Sequence, residues 1–139
     1  MMIETYRGVV YPYQLDHMGH MNVQWYTEKF DEANWHLFSR AGLSAAYFRE
    51  HKKGMAAVQQ TTKYHAEALA GDLLQCRSGV MDIHEKTLFI LHEMYNSETQ
   101  KLIATTELIC AHLDRETRHA CPFPPTVRDT AKLLLIKPD

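Results

Sequence analysis

The hydrophobic positions of the chain follow two periods, one helical and one of two residues. The helical period is strongest over residues 22–40. The apolar residues of one face recur at alternating steps of three and four, at Val23, Tyr26, Phe30, Ala33 and Leu37. The opposite face is polar and carries Glu28, Lys29, Glu32 and His36. Asn22 is a suitable N-cap, and Gly42 lies where a left-handed residue commonly ends a helix. The pattern therefore predicts one long amphipathic helix with a single buried stripe.

The rest of the chain alternates mainly with a period of two, as half-buried strands do. Strands are predicted at residues 3–11, 55–68, 73–84, 87–96 and 101–113. Short polar breaks separate the last four strands, which favours an antiparallel meander. A shorter helix is predicted from Ser44 to near Gly54, and the tail after Pro122 is predicted to be irregular. The fold class is therefore α+β, a five-stranded antiparallel sheet covered on one face by one long helix.

Length and composition suit one soluble domain over residues 1–139. Hydrophobic residues make up 45% and charged residues 23%, and no apolar run approaches the ~20 residues of a membrane span. The N-terminus lacks a signal peptide pattern and the three cysteines form no paired spacing, so a cytoplasmic location is expected. Cys76 and Cys110 fall in strand-like runs and are expected in the core. A formal net charge of −2 gives no bulk attraction to nucleic acid.

Titratable side chains are concentrated just before the long helix, in the segment DHMGHMN at residues 16–22. A helix N-terminus presents unpaired backbone N–H groups and a partial positive charge, which can stabilise a developing oxyanion. Gly19 permits a tight turn that brings Asp16 close to that N-terminus. A carboxylate beside an oxyanion hole supplies the two groups that hydrolysis of an activated ester needs. The spacing by itself also fits an Asp16 that only caps the turn or pairs with His17.

The sequence LDHMGHMNVQWY at residues 15–26 resembles the D-x-x-G-H-x-N-x-x-x-Y signature of hotdog-fold acyl-CoA thioesterases of the 4-hydroxybenzoyl-CoA thioesterase type. Tyr64 with Gly71-Asp72 resembles a second family motif, and residues 113–124 resemble its closing strand and proline turn. This resemblance covers nearly the whole chain. It implies a hotdog fold, in which the sheet wraps around one long central helix. It also implies hydrolysis of a short or small acyl-CoA to free acid and CoA.

The resemblance assigns roles to the candidate catalytic residues. Asp16 is then the catalytic aspartate, as nucleophile or general base, and the Val23 backbone N–H polarises the thioester carbonyl. His20 either orients Asp16 or braces the turn, and Asn22 is a helix cap as well as a substrate contact. Glu67 stands where the second motif has proline. It is a second candidate for the catalytic carboxylate, with a solvated strand-end charge as the alternative.

Substrate contacts are also expected, from Gly19, Trp25 and Tyr26. The phosphate end of CoA needs cations, and the candidates, each otherwise an ordinary solvated charge, are Lys63, Arg115, Arg118 and Arg128. The resemblance further implies a homodimer or homotetramer, with pantetheine between subunits and each active site at the interface. No cofactor, metal, nucleic acid or membrane is expected.

Residues 6–12, 16–23 and 30–33 are similar to a bacterial subgroup associated with carnitine breakdown, which implies betainyl-CoA as substrate. The aromatic residues of the helix region suit a quaternary ammonium group through cation–π attraction, worth ~0.5–2 kcal/mol. The subgroup therefore gives the expected acyl group.

Three other interpretations stay open. Asp16, His17 and His20 resemble a metal ligand set, although neighbouring ligands on a tight turn rarely all point inward. A hotdog domain can also bind an acyl-CoA without hydrolysing it. A hotdog dehydratase would need a catalytic histidine with an acid on the long helix, where His36 lies near Glu32.

Overall fold

The computed structural model describes residues 2–136 of the chain. The strands are β1 (Ile3–Val9), β2 (Lys53–Tyr64), β3 (Leu73–Ile83), β4 (Thr87–Asn96) and β5 (Leu102–Asp114). The helices are α1 (Val23–Arg40), α2 (Ala45–His51) and α3 (Pro125–Lys132), and a short 3-10 turn covers Pro12–Gln14. No helix among the described residues is long and apolar enough to cross a membrane. The predicted α+β class with a five-stranded sheet is confirmed.

All neighbouring strands pair antiparallel, in the order β1-β3-β4-β5-β2. The predicted meander holds for β3, β4 and β5, but it is wrong for β2, which pairs with β5 along its whole length. Residues 65–72 carry the chain across to β3 instead of forming a hairpin. The His65 N–H donates to the Ile103 carbonyl oxygen at 2.8 Å, and the Gly71 N–H donates to that of Val10 at 2.8 Å. These bonds tie one end of the connection to β5 and the other to the residue that follows β1.

Helix α1 agrees with its predicted bounds. The side chain of Asn22 caps its N-terminus, and Gly42 adopts the left-handed conformation just after its end, with φ of 90°. Four of the five predicted stripe residues are buried: Tyr26, Phe30, Ala33 and Leu37. The fifth, Val23, is 58% exposed because it occupies the first helical turn, beyond the edge of the core.

Lys29 was predicted on the polar face of α1, but its side chain is only 4% exposed. The helix packs closely against β1, and the Lys29 ammonium donates a hydrogen bond to the Tyr6 hydroxyl at 3.0 Å. A lysine stem can cover apolar surface while its charged end reaches a polar partner. The helix therefore buries a wider arc than its apolar stripe indicates.

The second helix and the C-terminal tail depart from their predictions. Helix α2 ends at His51, where Lys52 takes the left-handed conformation, because Lys53 and Gly54 already pair with β5. The tail contains helix α3, whose Val127 and Ala131 are buried four residues apart against the core. An eight-residue helix that begins at Pro125 and lacks a side-chain cap gives little periodic signal.

The hydrophobic core falls into two clusters along α1. One, around Tyr26 and Phe30, includes Cys76; the other, around Leu37 and Phe38, includes Cys110. Both cysteines are buried, as predicted. Burial raises the pKa of each thiol to about 12, so both are protonated at neutral pH.

A chain of buried polar groups crosses the core between β1 and α1. The Thr5 and Ser78 hydroxyl oxygens lie 2.6 Å apart, and Ser78 also contacts Nδ1 of His92. On the other side of the ring, Nε2 of His92 lies 2.5 Å from Oδ1 of Asn34. An amide oxygen can only accept, so Nε2 carries the proton and Nδ1 accepts from Ser78. Each of these four buried side chains thereby has a hydrogen-bond partner.

Candidate active site

The segment before α1 folds into a tight turn that holds the Asp16 carboxylate. The Asp16 N–H donates to the His20 carbonyl oxygen at 2.9 Å, and the Gly19 N–H donates to that of Asp16 at 3.1 Å. The Met18 N–H donates to Asp16 Oδ1 at 2.8 Å. Gly19 has φ of 83°, a left-handed conformation that side chains other than glycine rarely adopt. The turn therefore fixes one carboxylate oxygen and leaves Oδ2 for other contacts.

The N-terminus of α1 lies directly after this turn. The Gln24 N–H donates to the Asn22 side-chain oxygen at 3.0 Å, and the Trp25 N–H donates to the Asn22 carbonyl oxygen at 3.0 Å. Asn22 is thus occupied as a helix cap. The Val23 N–H has no hydrogen-bond partner within residues 2–136. An unpaired N–H at a helix N-terminus is a suitable donor for an oxyanion.

A second loop closes the site from the other side. The Met21 N–H donates to the Ala68 carbonyl oxygen at 2.8 Å, which joins the Asp16 turn to residues 65–68. Between the two segments lies a cavity of about 320 Å³, which we call the Asp16 cavity. Its lining residues are Asp16, His20, Met21, Val23, Tyr26, Tyr64, His65, Ala66 and Glu67. Asp16 and Val23 thus line one cavity.

His20 lies beside the carboxylate without a direct hydrogen bond. Its Nδ1 is 3.6 Å from Asp16 Oδ2, and the two side chains are 29% and 17% exposed, respectively. Within residues 2–136, Oδ2 accepts no hydrogen bond. It is therefore available to a water molecule or a substrate atom in the cavity. Both predicted roles of His20, orienting Asp16 and bracing the turn, stay predictions.

Two tyrosines form an aromatic wall of the cavity. The rings of Tyr26 and Tyr64 meet edge to face, with centroids 5.0 Å apart and an interplanar angle of 84°. Burial first, and then the nearby Tyr64, Glu67 and Asp16, raise the pKa of the Tyr26 phenol to about 12. Tyr26 therefore keeps its hydroxyl proton at neutral pH and can act as a donor in the cavity.

A family model described as the thioesterase-like superfamily matches residues 10–130 of the chain. The chain belongs to the thioesterase-like superfamily. The matched range contains α1 and the complete Asp16 cavity. Membership confirms the prediction from residues 15–26 at the level of the superfamily, and the sheet with its long helix confirms the hotdog fold.

One curated relative and two solved structures are similar to this chain. A Rhizobium sp protein, L-carnitine dehydrogenase/betainyl-CoA thioesterase, is 24% identical over 113 residues. That alignment covers 81% of this chain, which spans only 22% of that relative's length. A Staphylococcus aureus protein solved in complex with CoA has a TM-score of 0.87 at 20% identity, covering 100% of this chain and 90% of that chain. A 1,4-dihydroxy-2-naphthoyl-CoA thioesterase from Synechocystis has a TM-score of 0.79 at 18% identity, covering 91% and 93% respectively.

In this superfamily member, the Asp16 cavity brings together five of the sequence candidates: Asp16, His20, Val23, Tyr26 and Glu67. Gly19 and Asn22 build the turn and the cap next to it. Trp25 points elsewhere and packs edge to face against Tyr13, with ring centroids 5.4 Å apart. Tyr64 and His65 also line the cavity but were not predicted as site residues. Tyr64 belongs to the second family motif, but neither its residue type nor its spacing indicates that it borders the helix N-terminus.

The four predicted phosphate-binding cations are spread over the surface. Lys63 is exposed near the end of β2, and Arg118 is exposed after β5. Arg128 donates a hydrogen bond to the His84 carbonyl oxygen at 3.0 Å. Arg115 donates to the Phe48 carbonyl oxygen at 2.8 Å and lines a separate, larger cavity. The single chain therefore does not bring these cations together.

This second cavity, which we call the Arg115 cavity, has a volume of about 530 Å³. It lies between the C-terminal half of α1, helix α2 and the beginning of β2. Its lining includes three aromatic rings and three cations: Trp35, Phe38, Phe48, Arg49, Lys53 and Arg115. Aromatic faces beside cations suit a ligand that carries both a flat ring and negative charge.

The residues proposed for a metal site and for a dehydratase are not arranged for these roles in the described part of the chain. Residues 2–136 contain no group of three or more His, Cys, Asp or Glu side chains placed to hold a metal ion. His36 and Glu32 are exposed and lie outside the Asp16 cavity. The pair that a dehydratase would need is therefore not directed at this cavity.

Proposed function

We propose that the protein is an acyl-CoA thioesterase whose catalytic carboxylate is Asp16. The observation that carries this proposal is that Asp16 and Val23 line one cavity. Within residues 2–136, Asp16 Oδ2 accepts no hydrogen bond and the Val23 N–H has no partner. One group activates or delivers the attacking oxygen, and the other stabilises the negative charge on the thioester oxygen. Superfamily membership supports the same reaction. Organisation as one domain over residues 1–139 and a cytoplasmic location remain predictions.

Two routes are compatible with this geometry. As a general base, Asp16 takes a proton from water while the water oxygen forms a bond to the thioester carbon. As a nucleophile, Asp16 forms that bond itself, and water then hydrolyses the resulting anhydride. In both routes the carbonyl oxygen becomes negative beside the Val23 N–H. The C–S bond then breaks and CoA leaves as a thiolate that is subsequently protonated.

We propose a small acyl group, with betainyl-CoA as the first candidate. The Rhizobium relative is named as a betainyl-CoA thioesterase, and it is 24% identical over 113 residues. The Asp16 cavity is also lined by Tyr26 and Tyr64, of which Tyr64 is 48% exposed. An aromatic wall attracts a quaternary ammonium group through its ring faces, which supports this choice.

We also propose that two copies associate through β2, as a homodimer or as part of a homotetramer. This strand forms one edge of the sheet, and its side chains are largely exposed, with Val58 at 63%. An unpaired strand edge is a ready template for another strand. Association here would continue the sheet from one subunit into the next.

Antiparallel pairing of the β2 strands of two subunits would also place the Asp16 cavity of each subunit beside the Arg115 cavity of the other. The beginning of β2, around Lys53, borders the Arg115 cavity, whereas its end at Tyr64 borders the Asp16 cavity. A two-fold axis at the middle of the strand would bring the Asp16 cavity of one subunit next to the Arg115 cavity of the other. A long ligand such as an acyl-CoA would then span both, with its phosphates near Arg115 and its thioester near Asp16.

The experiment that tests this function is CoA thiol release from a panel of acyl-CoAs that includes betainyl-, acetyl- and benzoyl-CoA. Asp16→Asn retains the shape of the side chain and an oxygen for the Met18 N–H, but it loses both base and nucleophile. We expect its kcat to fall by at least ~10²-fold, with little change in melting temperature. Asp129→Asn, an exposed position on α3, is the matched control.

The outcomes separate the proposed role from a structural one. If Asp16 only braces the turn, activity and melting temperature will fall together. If the wild type hydrolyses no ester of the panel but retains bound acyl-CoA for hours, the protein is an acyl-CoA-binding hotdog protein instead.

A further inference from the structure

The Asp16 cavity has a one-sided charge composition. It contains two carboxylates, Asp16 and Glu67, and the rings of two tyrosines, but its lining includes no lysine or arginine. His20 and His65 are its remaining titratable side chains apart from the tyrosine hydroxyls. Acidic groups and aromatic faces both attract cations, so the electrostatic field of this cavity favours positive charge.

Glu67 is the carboxylate of this pair that the hydrolytic mechanism does not use. It lies on the loop of residues 65–68, which hydrogen bonds to Met21 and Ile103 hold in place. Within residues 2–136 its side chain forms no ion pair and no hydrogen bond. An exposed carboxylate on an ordered loop, without a counter-ion of its own, is available to a charged ligand.

The position of Glu67 relative to the aromatic wall supports a role in recognition. Burial raises the pKa of the Tyr26 phenol, and the nearby negative charges of Glu67 and Asp16 raise it further. Glu67 therefore lies within electrostatic range of Tyr26, and it lines the same cavity as Tyr64. Tyr26 is buried at 4% exposure, whereas Tyr64 is 48% exposed. A cationic group placed against Tyr64 would interact with its ring and with the Glu67 carboxylate at once.

We propose that Glu67 is a specificity residue that selects acyl groups carrying a fixed positive charge, such as a quaternary ammonium, and disfavours anionic acyl groups. This inference rests on the proposed thioesterase function. It assigns Glu67 to the recognition of the acyl group, whereas the bond-making and bond-breaking steps belong to Asp16 and the Val23 N–H. It is independent of which catalytic route Asp16 follows.

The test compares two esters that differ by one charge. Betainyl-CoA and 3,3-dimethylbutyryl-CoA have acyl groups of nearly the same shape, with N⁺ in the first and carbon in the second. The measured quantity is the ratio of their kcat/KM values. We expect the wild type to prefer the cationic ester and Glu67→Gln to lower that ratio about fivefold, as expected for one solvent-exposed ion pair. Glu67→Asp, which keeps the charge, should retain most of the preference.

The matched control is Glu98→Gln, which removes the same charge from an exposed position in the turn between β4 and β5. We expect this variant to leave the ratio unchanged. Raising the salt concentration from about 0.05 to 0.5 M should lower the ratio in the wild type and much less in Glu67→Gln, because salt screens exposed charges.

Each outcome decides between distinct interpretations. A parallel loss of activity on both esters in Glu67→Gln would assign Glu67 to catalysis and overturn the proposal. An unchanged ratio in that variant, or a wild type without preference for the cationic ester, would also overturn it while leaving the thioesterase function intact. A wild type that hydrolyses neither these esters nor any of the wider panel would overturn the proposed function itself.

Discussion

The Met21 N–H donates a hydrogen bond to the Ala68 carbonyl oxygen at 2.8 Å. This bond joins two segments that are far apart in sequence, the Asp16 turn and the loop that carries Glu67. Both residues are buried, at 2% and 0% exposure, so water does not compete for the bond. The candidate active site therefore depends on a backbone contact as much as on its titratable side chains.

The conformation of Gly19 can be tested by adding a single methyl group. A Cβ at this position would meet no atom within 4 Å, so Gly19→Ala introduces backbone strain without a steric clash. We expect a loss of ~1 kcal/mol in the free energy of unfolding, measured with urea, and a clear loss of kcat/KM because the turn holds Asp16. Gly42→Ala has similar strain at the other end of α1, and it should lose stability but keep its activity. Equal activity loss in both variants would contradict this prediction.

Burial of His92 makes the free energy of unfolding depend on pH. Its pKa falls from 6.5 to about 3 in the fold because burial disfavours the charged ring. Between about pH 3 and pH 6.5, His92 therefore binds a proton in the unfolded chain but not in the folded chain. The free energy of unfolding should decrease as the pH falls below about 6.5, by up to ~1.4 kcal/mol per pH unit for this group. Chemical denaturation between pH 7 and 4.5 measures this slope.

His92→Gln should reduce that slope, because the amide can still donate and accept but does not titrate in this range. The buried His112, whose pKa burial also lowers, should retain its own contribution. The matched control is His36→Gln, an exposed histidine on α1, which should leave the slope unchanged. If the slope is the same in the wild type and in His92→Gln, His92 does not cause the acid sensitivity.

Lys29 offers a test of buried charge. Burial lowers the pKa of its ammonium, which shows that the fold disfavours the charged form. Lys29→Met keeps most of the aliphatic stem and removes the desolvation cost, and the half-buried Tyr6 hydroxyl can bind water instead. We expect the variant to be more stable by ~1 kcal/mol in urea unfolding at pH 7. A clear loss of stability would show that the Lys29 to Tyr6 hydrogen bond outweighs desolvation.

The proposed assembly through β2 predicts a specific effect of charge at Val58. Val58→Asp would place a carboxylate opposite its own copy across a two-fold axis, so we expect the dimer to dissociate and hydrolysis to decrease. Light scattering coupled to size exclusion measures the mass. Leu133→Asp is the matched control, since Leu133 is 74% exposed and lies after α3, away from β2. A wild type that is monomeric and active would contradict the proposed interface.

Arg115 is the cation for which the proposed assembly predicts a phosphate contact. Arg115→Ala should raise the KM for an acyl-CoA by about five- to tenfold, with kcat nearly unchanged, because phosphate binding does not change in the transition state. Arg7→Ala on β1, where Arg7 pairs with Glu4, is the control. An unchanged KM in Arg115→Ala would place the phosphate site elsewhere, with Lys63, Arg118 and Arg128 as the remaining candidates.

Local signals in the sequence predicted the parts of the site that are themselves local. The Asp16 turn, the Asn22 cap and the N-terminus of α1 occupy consecutive residues, so their hydrogen bonds follow from residue types and spacing. The inclusion of Tyr64 and His65 could not be predicted in the same way. They line the cavity because β2 pairs with β5. The alternating pattern of each strand does not specify which other strand it pairs with.

The sequence by itself determined the long helix, its caps, the five strands and the Asp16 turn, because hydrophobic period and backbone preference act over a few residues. The tertiary structure alone decided the crossing of β2 to the far edge, the burial of Lys29 and the packing of α3 against the core. It also decided that Glu67 lines the same cavity as Asp16. These features depend on contacts between residues far apart in the chain, whose free energy is set by the whole fold and not by any local pattern.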